Sequence, residues 1–390
     1  MSDQIPHLLR RDSNGFESKS IQSEHYWVIA LYGDMSDRMM SIAAGLGPRQ
    51  EVYSIDECFI DLAGVRGDLT VRARAVRERI DQWIGIPCGI GIGATKTLAK
   101  LANFMAKTAE RKPGSYPPEL AQVCNLARLP PGDLEALMGV TDVAEVWGVG
   151  RRIGAQLKAG GIATVLDLAR MDPATVRRHW SVVLERTVRE LQGLSCIALD
   201  EQPAPRKEIA CTRSFGRPVT ELGPLVEAVS EFATRAAEKL RRQASVASEL
   251  VVFAHTSPFR PGPRFVRSAV VPLLPPTSDT ALLVQAAVAG IRSIYQPGHE
   301  LVKAGVLLLD LVCRSVHQGE LALELAPAGR HERGALMGAM DAINGKYGAG
   351  TLHLASSGFD DHSRLWGMRR ERLTPQYTTD WAGMPIAKAV

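Results

Sequence analysis

The hydrophobic and polar positions of this chain follow first a helical and then a strand period, and they predict a small α/β layer in its first third. The segment from Leu69 to Ile84 has one apolar helix face, formed by Ala73, Val76, Ile80 and Trp83. Helices are also predicted from Ala30 to Ala44 and from the capping residue Thr95 to Thr108. The predicted strands are a hairpin around Asp56 and an apolar run from Ile86 to Ile92.

The pattern changes twice further along the chain. Breaker residues at 112–118 mark a domain boundary, and short helices fill the region up to Cys196. After a linker at 202–207 the predicted order becomes β-α-β-β-α-β, which is that of a split ferredoxin-like domain. Its strands are predicted near 208–214, 249–255, 265–271 and 303–309, and its helices at 225–242 and 280–294. Beyond Gln318 the sequence is loop-like apart from a helix from Glu332 to Tyr347.

Length and composition place the chain among folded soluble proteins. With 390 residues, 45% hydrophobic and 23% charged, it is long enough for two to four domains. No apolar run approaches a membrane span and no secretory signal opens the chain, so we expect a cytoplasmic location. The six cysteines show no CxxC spacing, which argues against a zinc ribbon or a disulfide framework and predicts ordinary buried thiols.

The adjacent acids Asp56 and Glu57 stand among apolar and aromatic residues in the predicted hairpin. Carboxylates in such surroundings cost several kcal/mol unless cations neutralise them. Two divalent ions held by carboxylates stabilise phosphoryl displacement in polymerases and nucleases, so the pair suggests nucleotidyl transfer. The alternative is that both acids are solvated residues at a hairpin tip without a role.

Basic residues concentrate between Arg151 and Glu190, where eight Lys or Arg face four acids in a chain whose net charge is only +4. Just before this run lies Trp147-Gly148-Val149-Gly150, followed by Arg151 and Arg152. A Gly-x-Gly turn that opens a helix presents free N–H groups, so a helix-hairpin-helix that binds a nucleic-acid backbone is predicted. The alternatives are a tight turn and a solvated helix face.

Arginines also lie on or between the predicted strands of the ferredoxin-like region. They are Arg213, Arg260, Arg264 and Arg267. A sheet face that carries them could meet a nucleic-acid backbone. Surface arginines without that role fit the sequence equally well.

Six segments occur in an order and spacing that resemble the Y-family translesion DNA polymerases, specifically the UmuC-like branch that forms the catalytic subunit of bacterial DNA polymerase V. They are LYGDMSDRMM, EVYSIDECFIDL, GIGIGATKTLAKLANFMAK, VWGVGRRI, VVLERTVRELQG and CTRSFGRPVT. The resemblance runs from about residue 30 to the end, where LTPQYTT is similar to the end of UmuC-like chains.

The resemblance implies a multidomain fold of α/β and α+β parts. These are a partial palm at 30–112, a helix-hairpin-helix thumb at 113–201, a ferredoxin-like little finger at 208–318 and a C-terminal extension at 319–390, after a non-matching segment at 1–29. It implies that Asp56 and Glu57 are catalytic carboxylates of a two-Mg²⁺ site and that Lys107 binds the triphosphate. DNA would be held through its backbone by the thumb and little finger, with Gly148, Gly150, Arg151, Arg152 and Arg213 as the predicted contacts.

The same resemblance implies partners and an activity. They are damaged primer–template DNA, deoxynucleoside triphosphates, a UmuD-like accessory subunit and a RecA-like filament, in SOS-type translesion synthesis. UmuC-like chains carry a clamp-binding peptide after the little finger. The corresponding stretch from Gln318 to Glu324 lacks its terminal aromatic residue, which argues against sliding-clamp docking.

The sequence departs from the family before Ala30. The family opens with a strand and a D-x-N-x-F motif that supplies the first metal aspartate. Asp12 to Phe16 fits that motif only superficially, because Arg10 and Arg11 precede it in place of a strand. Residues 1–29 are therefore expected to be an unrelated or frame-shifted start on a truncated polymerase.

Two functions stay open from the sequence. One is an active error-prone polymerase, and the other is a non-catalytic remnant that binds DNA and family partners. The sequence does not give lesion preference, fidelity or oligomeric state.

Overall fold

The helices begin and end where the local sequence caps them. Asp68 accepts hydrogen bonds from the N–H groups of Thr70 and Val71 at the start of the helix from Leu69, and Gly85 ends it with a left-handed φ of 75°. The computed structural model describes residues 27–200, 205–315, 333–358 and 366–368, with side chains from residue 32 onward. The chain divides into two units at Pro203, and each is described by itself.

The first unit spans Ile29–Pro203 and consists of helices with two short sheets. Its elements in chain order are α1 (Trp27–Ala43), β1 (Arg49–Val52), β2 (Cys58–Asp61), α2 (Leu69–Ile84), β3 (Ile90–Ile92), α3 (Lys96–Arg111), β4 (Val123–Asn125), α4 (Pro131–Val140), α5 (Arg151–Ala159), α6 (Val165–Ala169), α7 (Pro173–His179) and α8 (Val182–Leu191). β1 and β2 form an antiparallel hairpin in which Val52 pairs with Cys58. β3 pairs in parallel with β4 across α3.

The second unit carries one continuous sheet. Its elements are β5 (Ile209–Val219), α9 (Leu222–Arg242), β6 (Ser245–Thr256), β7 (Val266–Thr277), α10 (Thr280–Ile294), β8 (Leu301–Cys313) and α11 (Gly334–Tyr347). The strands are ordered β5-β8-β6-β7 and every pairing is antiparallel. The order β-α-β-β-α-β predicted from the sequence is confirmed. α9 and α10 pack on one face of this sheet, where alternate strand residues such as Leu250 and Val252 are fully buried.

Four expectations are wrong in detail. Trp83 is 62% exposed and lies under the Arg79 guanidinium, whereas its neighbours Ile80 and Ile84 pack in the core. The strand predicted from Ile86 is paired only over β3, since β4 offers three partners. β4 lies in a region predicted to be helical. Cys196 and Cys313 are exposed rather than buried.

Among the described residues, no helix is both long and apolar enough to cross a membrane.

Candidate functional site

The loop between β1 and β2 carries the acidic pair. The backbone N–H groups of Tyr53 and Ser54 both donate to the carbonyl of Glu57 at 3.0 Å, which closes the loop. The Ser54 hydroxyl donates to Asp56 Oδ1 at 2.6 Å. Asp56 is exposed and Glu57 is half-buried. The hairpin thus presents two neighbouring carboxylates in different surroundings, one facing solvent and one packed against α3.

Lys100 neutralises Glu57. Its Nζ lies 2.8 Å from both carboxylate oxygens of Glu57, and the two side chains are 22% and 28% exposed. The same Nζ lies 5.7 Å from the centre of the Tyr53 ring. A cation placed between a carboxylate and an aromatic face is held by both. The Glu57 carboxylate is therefore occupied by a lysine of this chain.

A second ion pair lies one helical turn away. Lys96 donates to Glu51 Oε2 and also to the carbonyl of Ala198 at 2.7 Å. The N–H of Asp200 donates to the same Glu51 oxygen at 2.7 Å. The two charged side chains are only 10% and 12% exposed. This pair fastens the chain segment around Ala198 to the hairpin.

Aromatic rings connect the hairpin to the Gly-x-Gly segment. The rings of Tyr53, Phe59 and Trp147 form a cluster with centres 5.5 to 5.7 Å apart, in tilted and edge-to-face arrangements. Lys96 Nζ lies 4.9 Å from the centre of the Phe59 ring. Trp147 immediately precedes Gly148, so two motifs distant in the sequence meet here.

A cavity of about 320 Å³ adjoins the acidic pair. Its polar lining contains Asp56, Glu57, Lys100, Asn103 and Lys107. The apolar lining comes from α1, α2, β2 and β3 and includes Met40, Ala43, Ile60, Val76, Ile80 and Ile90. The side-chain oxygen of Asn103 is buried and has no hydrogen-bond partner among the described residues. The cavity therefore joins an apolar pocket to a charged rim.

Lys107 belongs to the rim without an ion-pair partner. No acid among the described residues lies within salt-bridge distance of its Nζ, unlike those of Lys96 and Lys100. Gly89 leaves space for it, since a Cβ at Gly89 would lie 3.0 Å from Lys107 Cγ and 2.9 Å from the Asn103 oxygen. Of the three lysines, Lys107 was the one that the resemblance assigned to the triphosphate. The spacing 96, 100, 103 and 107 was the available signal, because it lines one face of a helix.

The predicted backbone-binding residues lie elsewhere. Gly148 has φ of 91°, which favours glycine, and Gly150 is the N-terminal cap of α5 with no side-chain cap. Arg151 and Arg152 are exposed on the first turn of α5. Arg213 is half-buried on β5 of the second unit. Strand alternation places it on the side of Cys211 and Phe215, which face the helices.

The acids of the site are of the kind that binds a magnesium ion, but they are too few to complete its coordination. Carboxylate oxygens are the donors that Mg²⁺ prefers, and it demands near-octahedral placement. Asp56 and Glu57 supply two carboxylates, and no group of three acid, His or Cys side chains that could hold a metal occurs in the described part of the chain. Asp12, the sequence candidate for a further acid, lies outside the described residues. These residues alone do not complete a metal site.

Three titratable groups on and next to the hairpin have shifted pKa values. The N–H of Ala63 and the Arg49 guanidinium lower the pKa of Asp61 at the end of β2. Burial raises the pKa of the Cys58 and Cys88 thiols, which line the cavity. Both thiols are therefore neutral at physiological pH, and they are poor nucleophiles and metal ligands.

The overall fold is that of a Y-family DNA polymerase. A Y-family DNA polymerase chimera of Dbh and Dpo4 aligns with a TM-score of 0.53 over 73% of this chain and 77% of its own. At 16% identity this likeness concerns the fold alone.

Three family models match the chain. Residues 27–103 match the impB/mucB/samB family, residues 206–321 match the C-terminal domain of that family, and residues 334–387 match a domain of unknown function, DUF4113. The last match gives no role to the C-terminal region.

Curated relatives identify the branch. Protein UmuC of Salmonella typhimurium is 42% identical over 91% of this chain and 81% of its own length. Protein SamB of the same species is 41% identical over 92% and 82%, and Protein MucB of Escherichia coli is 40% identical over 92% and 81%. The chain belongs to the impB/mucB/samB family and is a UmuC-like Y-family polymerase homologue. This membership implies a divalent-metal requirement in general.

Proposed function

We propose that this chain acts in error-prone translesion DNA synthesis on damaged primer–template DNA, as a UmuC-like polymerase subunit. One observation carries the proposal: Asp56, Glu57, Lys100 and Lys107 line a single cavity next to the hairpin. Acids and lysines on one cavity suit a reaction in which a polyanionic substrate is placed against carboxylates. The relatives supply the reaction class.

Within this proposal, Asp56 and Glu57 are the catalytic carboxylates that face the divalent ions. Lys107 contacts the triphosphate of an incoming deoxynucleotide. Its lack of an ion-pair partner among the described residues supports that role, because an unpaired ammonium is available to a phosphate. Lys100 neutralises the Glu57 carboxylate and so places a second ammonium group beside the acidic pair.

DNA binding uses backbone contacts in the same proposal. The uncapped start of α5, with Gly148, Gly150, Arg151 and Arg152, presents N–H groups and two exposed guanidinium groups to a phosphate. Arg213 of β5 stays a prediction from the sequence alone, because its side of the strand is the one that faces the helices. Such contacts position a duplex without reading its sequence, which suits an enzyme that accepts damaged templates.

A UmuD-like accessory subunit and a RecA-like filament are the proposed protein partners, and this part of the proposal rests on the sequence resemblance alone. Sliding-clamp docking is not proposed. The stretch from Gln318 to Glu324 lies outside the described residues.

The second candidate function is a non-catalytic DNA-binding remnant. One observation favours it: Asp56 and Glu57 are the only acids among the described residues that line the cavity, and Lys100 is paired with Glu57. In this case, the chain would bind primer–template DNA in a salt-sensitive way but would not extend the primer.

Primer extension with purified full-length chain and Mg²⁺ separates the two. The active polymerase incorporates nucleotides, and Glu57→Gln lowers the rate by about 100-fold or more, because a catalytic carboxylate is lost. A hundredfold loss corresponds to about 2.7 kcal/mol of transition-state stabilisation, at 1.36 kcal/mol for each factor of ten. The matched control is Glu78→Gln, an exposed acid on α2, which keeps the wild-type rate. If DNA binds without incorporation by the wild type, the remnant function holds.

A further inference from the structure

The described part of the C-terminal region matched by the domain of unknown function packs against the helices of the second unit. Its described residues, 333–358 and 366–368, are called the C-terminal cover below. They reach α9, α10 and β5 through separate contacts. The matching family models treat residues 206–321 and 334–387 as different domains.

The middle of α9 is buried all around the helix. A helix that packs on a sheet with its other side in water exposes residues at every turn. Here seven consecutive residues, 228–234, are all buried. They include Ser230, Glu231 and Thr234, which a solvent-facing side would leave exposed. The sheet alone does not bury this stretch, because α10 and the 3₁₀ turn Ala355–Ser357 of the cover also pack against α9.

Trp366 of the cover enters the core beside α9. It is fully buried and its ring packs edge-to-face on Phe232 of α9, with ring centres 5.7 Å apart. It belongs to the same apolar core as Leu250 and Val252 of the sheet. A fully buried side chain of this size stabilises the core as much as a buried residue of the sheet does.

Backbone and helix contacts extend the same packing. The N–H of Gly216, at the irregular part of β5, donates to the carbonyl of Gly367 at 2.9 Å. The 3₁₀ turn Ala355–Ser357 lies against α9, and Ser357 is fully buried. The edge strand and the long helix are thus joined to the cover at separate points.

A bidentate ion pair joins α11 to α9. Arg241 of α9 donates from Nε and Nη2 to the two carboxylate oxygens of Asp341, each at 2.7 Å. Its remaining Nη1 donates to the Ser278 carbonyl and the Thr280 hydroxyl at the start of α10. The guanidinium is 10% exposed. One arginine therefore connects α9, α10 and α11.

We propose that this region of unknown function is a structural part of the preceding domain: it completes the hydrophobic core and holds α9 and the edge strand β5 in place. It is not an independent module on a tether. The proposal concerns the fold of the second unit and does not depend on the catalytic function.

Hydrogen exchange of the unmodified full-length chain tests this directly. Amides of α11 and of α9 are expected to exchange through the same cooperative opening, with protection factors that agree within about tenfold. Exchange of α11 at the rate of unstructured chain, while α9 stays protected, would overturn the proposal.

Substitution gives an independent test in the full-length chain. Trp366→Ala is expected to lower the unfolding temperature of the second unit by about 10 °C, because a large core side chain is lost. Trp83→Ala, the same change at an exposed tryptophan of α2, is the matched control and shifts it by less than about 2 °C. Equal shifts for the two variants would show that the cover is not part of the core. If Trp366→Ala fails to fold, the exchange experiment still decides.

Discussion

The two units close their sheets in different ways. In the second unit four strands pair without interruption, and α9 and α10 cover one face of the sheet. In the first unit β1-β2 and β3-β4 are separate two-stranded sheets, and a cavity of about 320 Å³ is lined by both β2 and β3. The charged residues of the candidate site gather at this cavity. In the second unit the pattern of apolar residues explains the continuous sheet, whereas in the first unit specific polar contacts join the hairpin to α3 beside an apolar core.

The ion pair of Lys96 and Glu51 gives the largest test of that contrast. Lys96→Met leaves the Glu51 carboxylate, 12% exposed, without its cation, and we expect a loss of about 3 kcal/mol in the free energy of unfolding. Urea unfolding followed by a probe of the first unit measures it. The further substitution Glu51→Met is expected to restore much of the loss, because no uncompensated charge then remains.

An exposed pair in the same unit is the control. Lys158 and Asp142 lie 2.6 Å apart with side chains 45% and 47% exposed. Lys158→Met should cost less than about 0.5 kcal/mol, since water screens the remaining charge. If the two lysine substitutions lower the free energy of unfolding equally, the buried ion pair at the hairpin stabilises the first unit no more than an exposed pair does.

Filling substitutions should change stability in opposite directions in the two units. Ala43 of α1 lines the cavity, so Ala43→Leu places new methyl groups in empty space and is expected to stabilise by about 1 kcal/mol. Ala237 of α9 is fully buried in a closed core, so Ala237→Leu overpacks it and costs about 2 kcal/mol. Thermal and urea unfolding of both variants measure the signs. A loss of stability for Ala43→Leu would mean that the cavity does not accept side chains.

The sequence predicted the elements of the second unit better than those of the first. α2 and α10 have the predicted bounds because Asp68 and Asp279 cap their first turns and each carries a clear apolar face. The second unit's strands are long and alternate, so their order was predictable. β4 was missed because three residues, Val123–Asn125, carry no period of their own. They become a strand only by pairing with β3 across α3.

The site was predicted as residue types rather than as contacts. Asp56 and Glu57 stood out because acids interrupt an apolar hairpin, and the hairpin is present. The partners of Lys96 and Lys100 are 45 and 43 residues away in the sequence. No local pattern encodes which acid each lysine meets, because that choice depends on how α3 packs against the hairpin. The same holds for Trp147, whose neighbours Tyr53 and Phe59 come from the other motif.

The smallest expected change in stability concerns a carboxyl group in the second unit. Burial raises the pKa of Glu238 on α9 above its ordinary value of 4.5, with Arg242 opposing the shift. A raised folded-state pKa means that the native state holds the proton more tightly than the unfolded chain. The ionised carboxylate therefore costs stability at neutral pH, and this cost disappears as the pH falls below 4.5.

Glu238→Gln removes the charge and should stabilise the second unit at pH 7. Because the side chain is only partly buried and water screens it, the gain is under about 1 kcal/mol. Urea unfolding at pH 7 and at pH 4 measures the difference, and the advantage of the variant should shrink at the lower pH. The exposed Glu78→Gln is the control and should show no such dependence. A gain that is equal at both pH values would mean that packing, rather than charge burial, accounts for it, and the closed unit would then tolerate this carboxylate without penalty.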